Sequence, residues 1–112
     1  MSDDKLRDQA WKARLAAHLA RERVDDEWSA YRSLARTRVE VGLRVQQSLA
    51  KGRKDLEAHQ EYATLLARIE AQRQVLQQAM VDLEKSETEL RIVHEAAFNS
   101  QADEGDSPRP VQ

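Results

Sequence analysis

Residues 62–90 read YATLLARIEAQRQVLQQAMVDLEKSETEL. Within them Tyr62, Leu66, Ile69, Arg73, Leu76, Met80, Leu83, Glu87 and Leu90 step alternately by four and three residues. The mean step is about 3.5 residues, so one side chain per turn falls on a single line along a helix. A helix with such a line must bury it against a second helix. The predicted seam is Tyr62, Leu66, Ile69, Leu76, Met80 and Leu83, with Gly42 from the opposing arm.

The opposing arm lies upstream. Ser2 and Asp3 are good N-caps, and no proline interrupts the chain from about Asp4 to Ala50. Ala10, Ala13, Ala17, Ala20 and Val24 recur at three-and-four spacing, and Trp28, Tyr31, Leu34/Ala35, Gly42, Val45 and Leu49 continue the pattern after a one-residue slip. Val39, Val41, Leu43 and Val45 alternate instead with a strand-like period of two. Only seven residues carry that alternation, and no second strand exists to pair with them, so the helix is kept.

Lys51-Gly52-Arg53-Lys54 then breaks the pattern. A glycine after the last apolar turn is a helix stop, and Asp55 can cap a second helix. The reading is an all-α, antiparallel two-helix coiled-coil hairpin, with helices at about 4–50 and 55–98 and a turn near 51–54. Residues 99–112 hold both prolines and Gly105 without apolar periodicity, which predicts a disordered acidic tail. A turn at Gly52 pairs residues whose numbers sum to about 104 by the antiparallel register. It sets Leu49 against Leu56, Gly42 against Tyr62, Ala35 against Ile69, Trp28 against Leu76 and Val24 against Met80. Tyr31 falls near Arg73 for a cation–π contact, and Glu87 near His18 and Arg14 or Arg21. An unbroken helix through Gly52, dimerising antiparallel, would satisfy the same pairs. The hairpin is preferred because a glycine and three basic residues are poor seam material.

Composition bounds the function. Charged residues are 34% and aromatics 4% of 112 residues, so any core is thin. There is no cysteine, hence neither a disulfide nor a thiolate metal site. An acidic N-terminus without an apolar run argues against a signal peptide, and no stretch approaches membrane-span length, so a cytoplasmic location is expected. His18, His59 and His94 do not converge in the hairpin register, no serine sits in a His/Asp arrangement, and the Gly52 segment lacks phosphate-loop spacing. No catalytic residue, cofactor or metal is expected.

Charge is divided between the arms. Residues 1–54 carry 13 Lys/Arg against 8 Asp/Glu, and residues 55–98 carry 4 against 9. Opposite halves favour pairing with each other, within one chain or head to tail. The arginines of the first arm and the basic tip Lys51, Arg53 and Lys54 could also form a stripe for nucleic acid, although the acidic neighbour and a pI near 5.9 oppose it. Trp11 and Trp28 stand out among few aromatics. A two-helix core cannot enclose a tryptophan, so Trp11, Leu15, Leu19 and Trp28 are the predicted partner-binding face.

The run Glu61–Ala79, EYATLLARIEAQRQVLQQA, resembles the middle of the FliJ-type flagellar export proteins and their YscO-type injectisome counterparts. Those families show a tyrosine followed by Leu and Ile at helical steps and then a Gln/Arg-rich turn. The resemblance covers about 30 residues and implies an antiparallel hairpin resembling a rotary-ATPase stalk. It also implies a non-enzymatic accessory role in type III secretion or flagellar export, binding the hexameric export ATPase, the gate or secretion chaperones. Members are usually longer, with an arm continuing past Asn99. Two other readings are a small homodimeric helical chaperone or scaffold forming a four-helix bundle, and an RNA-binding hairpin.

Overall fold

The computed structural model describes residues 2–53 and 55–106, with side chains described for 4–53 and 55–99. Two helices account for almost all of them: α1, Ser2–Ala50, and α2, Leu56–Asp106. The fold is an all-α helical hairpin. The second helix runs past its expected end at Phe98, because no breaker precedes Gly105 and Asn99–Glu104 can extend the final turns. Of the predicted tail, residues 107–112 lie outside the described residues.

The turn is built by local hydrogen bonds. Gly52 is left-handed with φ 70°, its N–H donating to Leu49 O at 3.0 Å and the Arg53 N–H donating to Ser48 O at 2.9 Å. These are the paired bonds of a Schellman motif, which occupies carbonyls the helix end would leave bare. Ser48 Oγ donates to Arg53 O at 2.9 Å and accepts from Asp55 N at 3.2 Å, bracing the turn from inside. Asp55 Oδ1 accepts from Ala58 N at 3.0 Å and so caps α2. The chain therefore reverses at Gly52 instead of continuing as one helix.

A Cβ at Gly52 would meet nothing within 4 Å, so only the backbone opposes substitution. Gly52→Ala is expected to lower stability by about 1–2 kcal/mol, the cost of a left-handed L-residue, and Gly52→Asn by less. Urea denaturation followed by circular dichroism measures both. A neutral Gly52→Ala would mean that the left-handed turn does not form.

Burial along each helix follows one uninterrupted heptad. The covered positions on that repeat in α1 are Leu6, Ala10, Ala13, Ala17, Ala20, Val24, Glu27, Tyr31, Leu34, Val41, Val45 and Ser48, with exposed Arg38 at the one remaining step and Ala35 and Gly42 half-buried beside it. No slip occurs: Glu27 takes the place expected for Trp28. In α2 they are Ala58, Tyr62, Leu65, Ile69, Gln72, Leu76, Ala79, Leu83, Ser86, Leu90, Val93 and Ala97. Lettered as heptads, a is Ala10 and Tyr62 with their seventh residues, and d is Leu6 and Ala58 with theirs.

The predicted seam is thus half displaced. Tyr62, Ile69, Leu76 and Leu83 occupy a. Leu66 and Met80 are 38% and 54% exposed at e, while Leu65 and Ala79 are buried at d with 5% and 1%. Arg73 and Glu87 are displaced in the same way by Gln72 and Ser86. The reason is phase: both rows keep the three-and-four spacing, and α2 is turned so that d rather than e meets α1, which buries the smaller residue at Ala79, Gln72 and Ser86 and one of two identical residues at Leu65.

The chain divides into two compact units, one of Met1–Glu22 with Val81–Gln112, the other of Arg23–Met80. In the first, Ala10 and Ala17 are buried and Leu83, Leu90 and Val93 are half-buried. Arg21 Nε donates to Glu87 Oε1 at 3.3 Å, as the register predicts. In the second, Val41, Leu65 and Ile69 form a core flanked by Tyr31, Leu34 and Tyr62. A Cβ on Gly42 would lie 3.6 Å from Tyr62 Cε2, which places Gly42 against Tyr62 as expected. The expected Leu49–Leu56 contact does not form a core, because both side chains are exposed. The strand-like Val39–Val45 stretch is helix, its alternation splitting into buried Val41 and exposed Val39 and Leu43.

Candidate functional site: two exposed apolar faces

Among the described residues, each unit leaves apolar side chains of α1 uncovered by its own hairpin. In the first unit Ala10, Ala13 and Ala17 turn inward, while Trp11, Leu15 and Leu19 lie at b, f and c on the outward side. They are 61%, 41% and 54% exposed, and their spacing of four stacks them in a row one turn apart. This stretch of α1 is apolar on two sides, and the hairpin uses one. His18 beside the row pairs with Glu22 at 2.9 Å, and Lys12 with Asp8 at 3.2 Å. The row is therefore rimmed by locally paired charge.

In the second unit the face lies at e and b. Trp28, 43% exposed, stacks on Tyr31 with ring centroids 5.6 Å apart and an interplanar angle of 18°. The Arg32 guanidinium sits over the Trp28 ring at 5.5 Å. Tyr31 stands close enough to Arg73 to act on its charge, as the register places it, but the cation–π contact in this unit is the one between Arg32 and Trp28. Arg73 instead reaches Glu70 one turn back, its Nε 3.0 Å from Oε2. Hydrogen bonding from Arg73 holds the Glu70 carboxyl below the usual carboxylate range, and the same bond raises Arg73 above its ordinary value. The other e and b positions of this unit include Ala35, Val39, Gly42, Ala63, Leu66 and Met80. Trp28 was expected against Leu76 and Met80 against Val24; both instead keep large exposed surfaces.

The opposite side of this unit is mixed, with Val75, 39% exposed, among charged residues. At g, Arg44 Nη2 donates to both Glu61 carboxylate oxygens at 2.9 Å. Between the helices, Gln72 Nε2 donates to the Glu27 carbonyl oxygen at 3.0 Å and to Glu27 Oε2 at 2.8 Å. This half-buried polar pair occupies facing d positions, where an unsatisfied amide would be costly. Sequence reasoning missed it. The signal was present, since Glu27 falls at the regular heptad step and Trp28 does not.

The basic tip is solvated at Lys51 and Arg53, and Lys54 lies outside the described residues. The histidines stay apart: His18 is paired and exposed, His59 is half-buried with Nε2 lacking a partner, and His94 is exposed. Among the described residues no group of three or more His, Cys, Asp or Glu could hold a metal ion. Two shallow depressions, one around Val81, Lys85, Thr88 and Ile92 and one around Arg91, His94 and Phe98, are lined by α2 alone. Neither encloses a ligand. Among the described residues no helix is long and apolar enough to cross a membrane. No protein-family model, curated protein or solved structure matches the chain.

Proposed function

We propose that the chain is a non-catalytic protein-association module, a hairpin that uses one face of α1 to hold itself together and the opposite face to hold a protein partner. The observation that carries this reading is the exposed row Trp11, Leu15 and Leu19 at four-residue spacing, behind a buried alanine stripe. Apolar anchors at i, i+4 and i+8 are the means by which a helix fits a partner's hydrophobic groove. Trp11 is the expected energetic centre, because a large aromatic desolvates most on docking.

Its more specific form is the one the resemblance implies: a stalk or accessory component of a type III secretion or flagellar export apparatus. The export ATPase, the gate or a secretion chaperone would be the partner. Support for it is the resemblance, together with a hairpin whose Tyr62 and Ile69 pack in the core of an antiparallel pair. An RNA-binding hairpin has less support, because Arg21 and Arg44 direct their guanidiniums to Glu87 and Glu61.

Titrating the purified chain with a purified hexameric export ATPase tests both levels. Binding is expected to change little between about 50 and 200 mM salt, whereas phosphate contacts to RNA would weaken steeply. Trp11→Ala is expected to weaken binding about tenfold, or ~1.4 kcal/mol, with helicity unchanged. Loss of the circular dichroism signal in that variant would assign Trp11 to the fold instead. Full-strength binding without Trp11 would remove the face from the reading.

A further inference from the structure

The turn interrupts a repeat that the sequence carries straight through it. Counted onward from Tyr31 and Val45 at a, and from Leu34 and Ser48 at d, the α1 heptad passes Gly52 and Asp55. It then falls on His59, Tyr62, Leu66, Ile69, Arg73, Leu76, Met80 and Leu83. From Tyr62 on, this is the line whose spacing stands out in the chain. The hairpin uses only half of it. Tyr62, Ile69, Leu76 and Leu83 are covered, but Leu66 and Met80 stay exposed because α2 starts in a new phase after the turn. A turn resets the count, so a hairpin has no need of two helices in one phase. An uninterrupted helix does.

We infer that the chain has a second folded state, in which the turn straightens and two continuous helices pair antiparallel, and that Gly52 is the switch between this dimer and the hairpin. The repeat fixes what lies in the seam. The part of the chain that forms α1 in one copy meets the part that forms α2 in the other, on the row through Leu66 and Met80 instead of Leu65 and Ala79. Exchange thus covers two large apolar side chains that the hairpin leaves open. Arg73, on the same row, already has Glu70 as its partner one turn back. Parallel copies would instead stack Arg38 on Arg38 and Arg73 on Arg73 along the seam.

Little holds the turn against straightening. The bonds that shape it lie within residues 47–59, and a helix running through would replace the backbone ones with its own. Lys51, Arg53 and Lys54 are ordinary helix formers. Among the described residues only Gly52 has a left-handed backbone. A Cβ there meets nothing within 4 Å, so alanine weakens the turn through its backbone alone and favours the straight helix. The row around Trp11 lies outside this seam, so the exchange is separate from the partner binding proposed above.

Light scattering after size exclusion at about 100 μM is expected to give twice the 12.9 kDa chain mass for Gly52→Ala and the single mass for the native chain. The dimerisation constant is expected to rise at least about 100-fold, since each dimer formed relieves two left-handed alanines and places both in helix. Below that concentration Gly52→Ala remains a hairpin of lowered stability. The chain has no cysteine of its own, so dyes can be placed by Asp26→Cys and Gln77→Cys at two exposed positions. They lie side by side in the hairpin and about 75 Å apart on a straight helix, at 1.5 Å per residue. In an excess of unlabelled chain, energy transfer between them is expected to vanish for Gly52→Ala and to persist for the native chain. In the Gly52→Ala dimer Leu66→Ala is expected to do more damage than Leu65→Ala, the reverse of their order in the hairpin. A Gly52→Ala chain that stays at 12.9 kDa overturns the proposal. So does a doubled mass with energy transfer retained, which would be two hairpins side by side, and so does an unreversed order of the two leucines. None of these outcomes bears on the Trp11 face.

Discussion

Leu65→Ala is expected to lower the free energy of unfolding by about 2–4 kcal/mol, and Leu66→Ala, one residue along, by less than about 1 kcal/mol. The two leucines are identical in chemistry and adjacent in sequence, and they differ only in phase on α2. Leu65 stands at d with Val41 and Ile69 and is 5% exposed, so its removal leaves a void walled by residues that cannot collapse far. Leu66 stands at e with 38% of its surface open, so its truncation encloses no void. Chemical denaturation monitored by circular dichroism reads both values. Equal losses, or a larger loss at Leu66, would place the seam one residue further along and contradict the heptad with Leu65 at d.

The second large effect is expected from adding bulk. Ala79→Leu should cost about 1–3 kcal/mol, because Ala79 is 1% exposed at d and three added carbons must displace a neighbour or push the helices apart. Met80→Leu, at the next position, should be nearly neutral, since more than half of Met80 faces solvent. On size and hydrophobicity alone the opposite order would be expected, because methionine is the better core residue of the two. What reverses it is the phase of α2, which turns Ala79 into the interface and Met80 away from it. A stabilised Ala79→Leu would mean that the interface is loosely packed there.

Much of the architecture is local, and so it was legible in the chain. Gly52 and Asp55 mark the end of one helix and the start of the next through bonds made within a few residues. The pairing of Gly42 with Tyr62 and of Arg21 with Glu87 comes from the turn position and the helical rise, with no further information needed. The exposure of Trp11, Leu15 and Leu19 was legible for a simpler reason: one helix cannot point both its alanine row and its tryptophan row at the same neighbour. The polar Glu27–Gln72 pair was not, because a carboxylate and an amide score as surface in any reading by hydrophobicity. Only their meeting across the interface makes the position tolerable for either.

Sequence by itself determined the helices, the turn that reverses them and the register in which they run. These depend on backbone geometry, on capping and on a period that any adequate run of apolar residues reveals. Tertiary structure decided the rotation of each helix about its own axis. With apolar residues at a, d and e, α2 carries two overlapping seams, one through Leu66 and Met80 and one through Leu65 and Ala79. Both satisfy the same three-and-four spacing. The choice between them rests on where the first helix packs against the second, a property of the pair of helices that neither possesses alone.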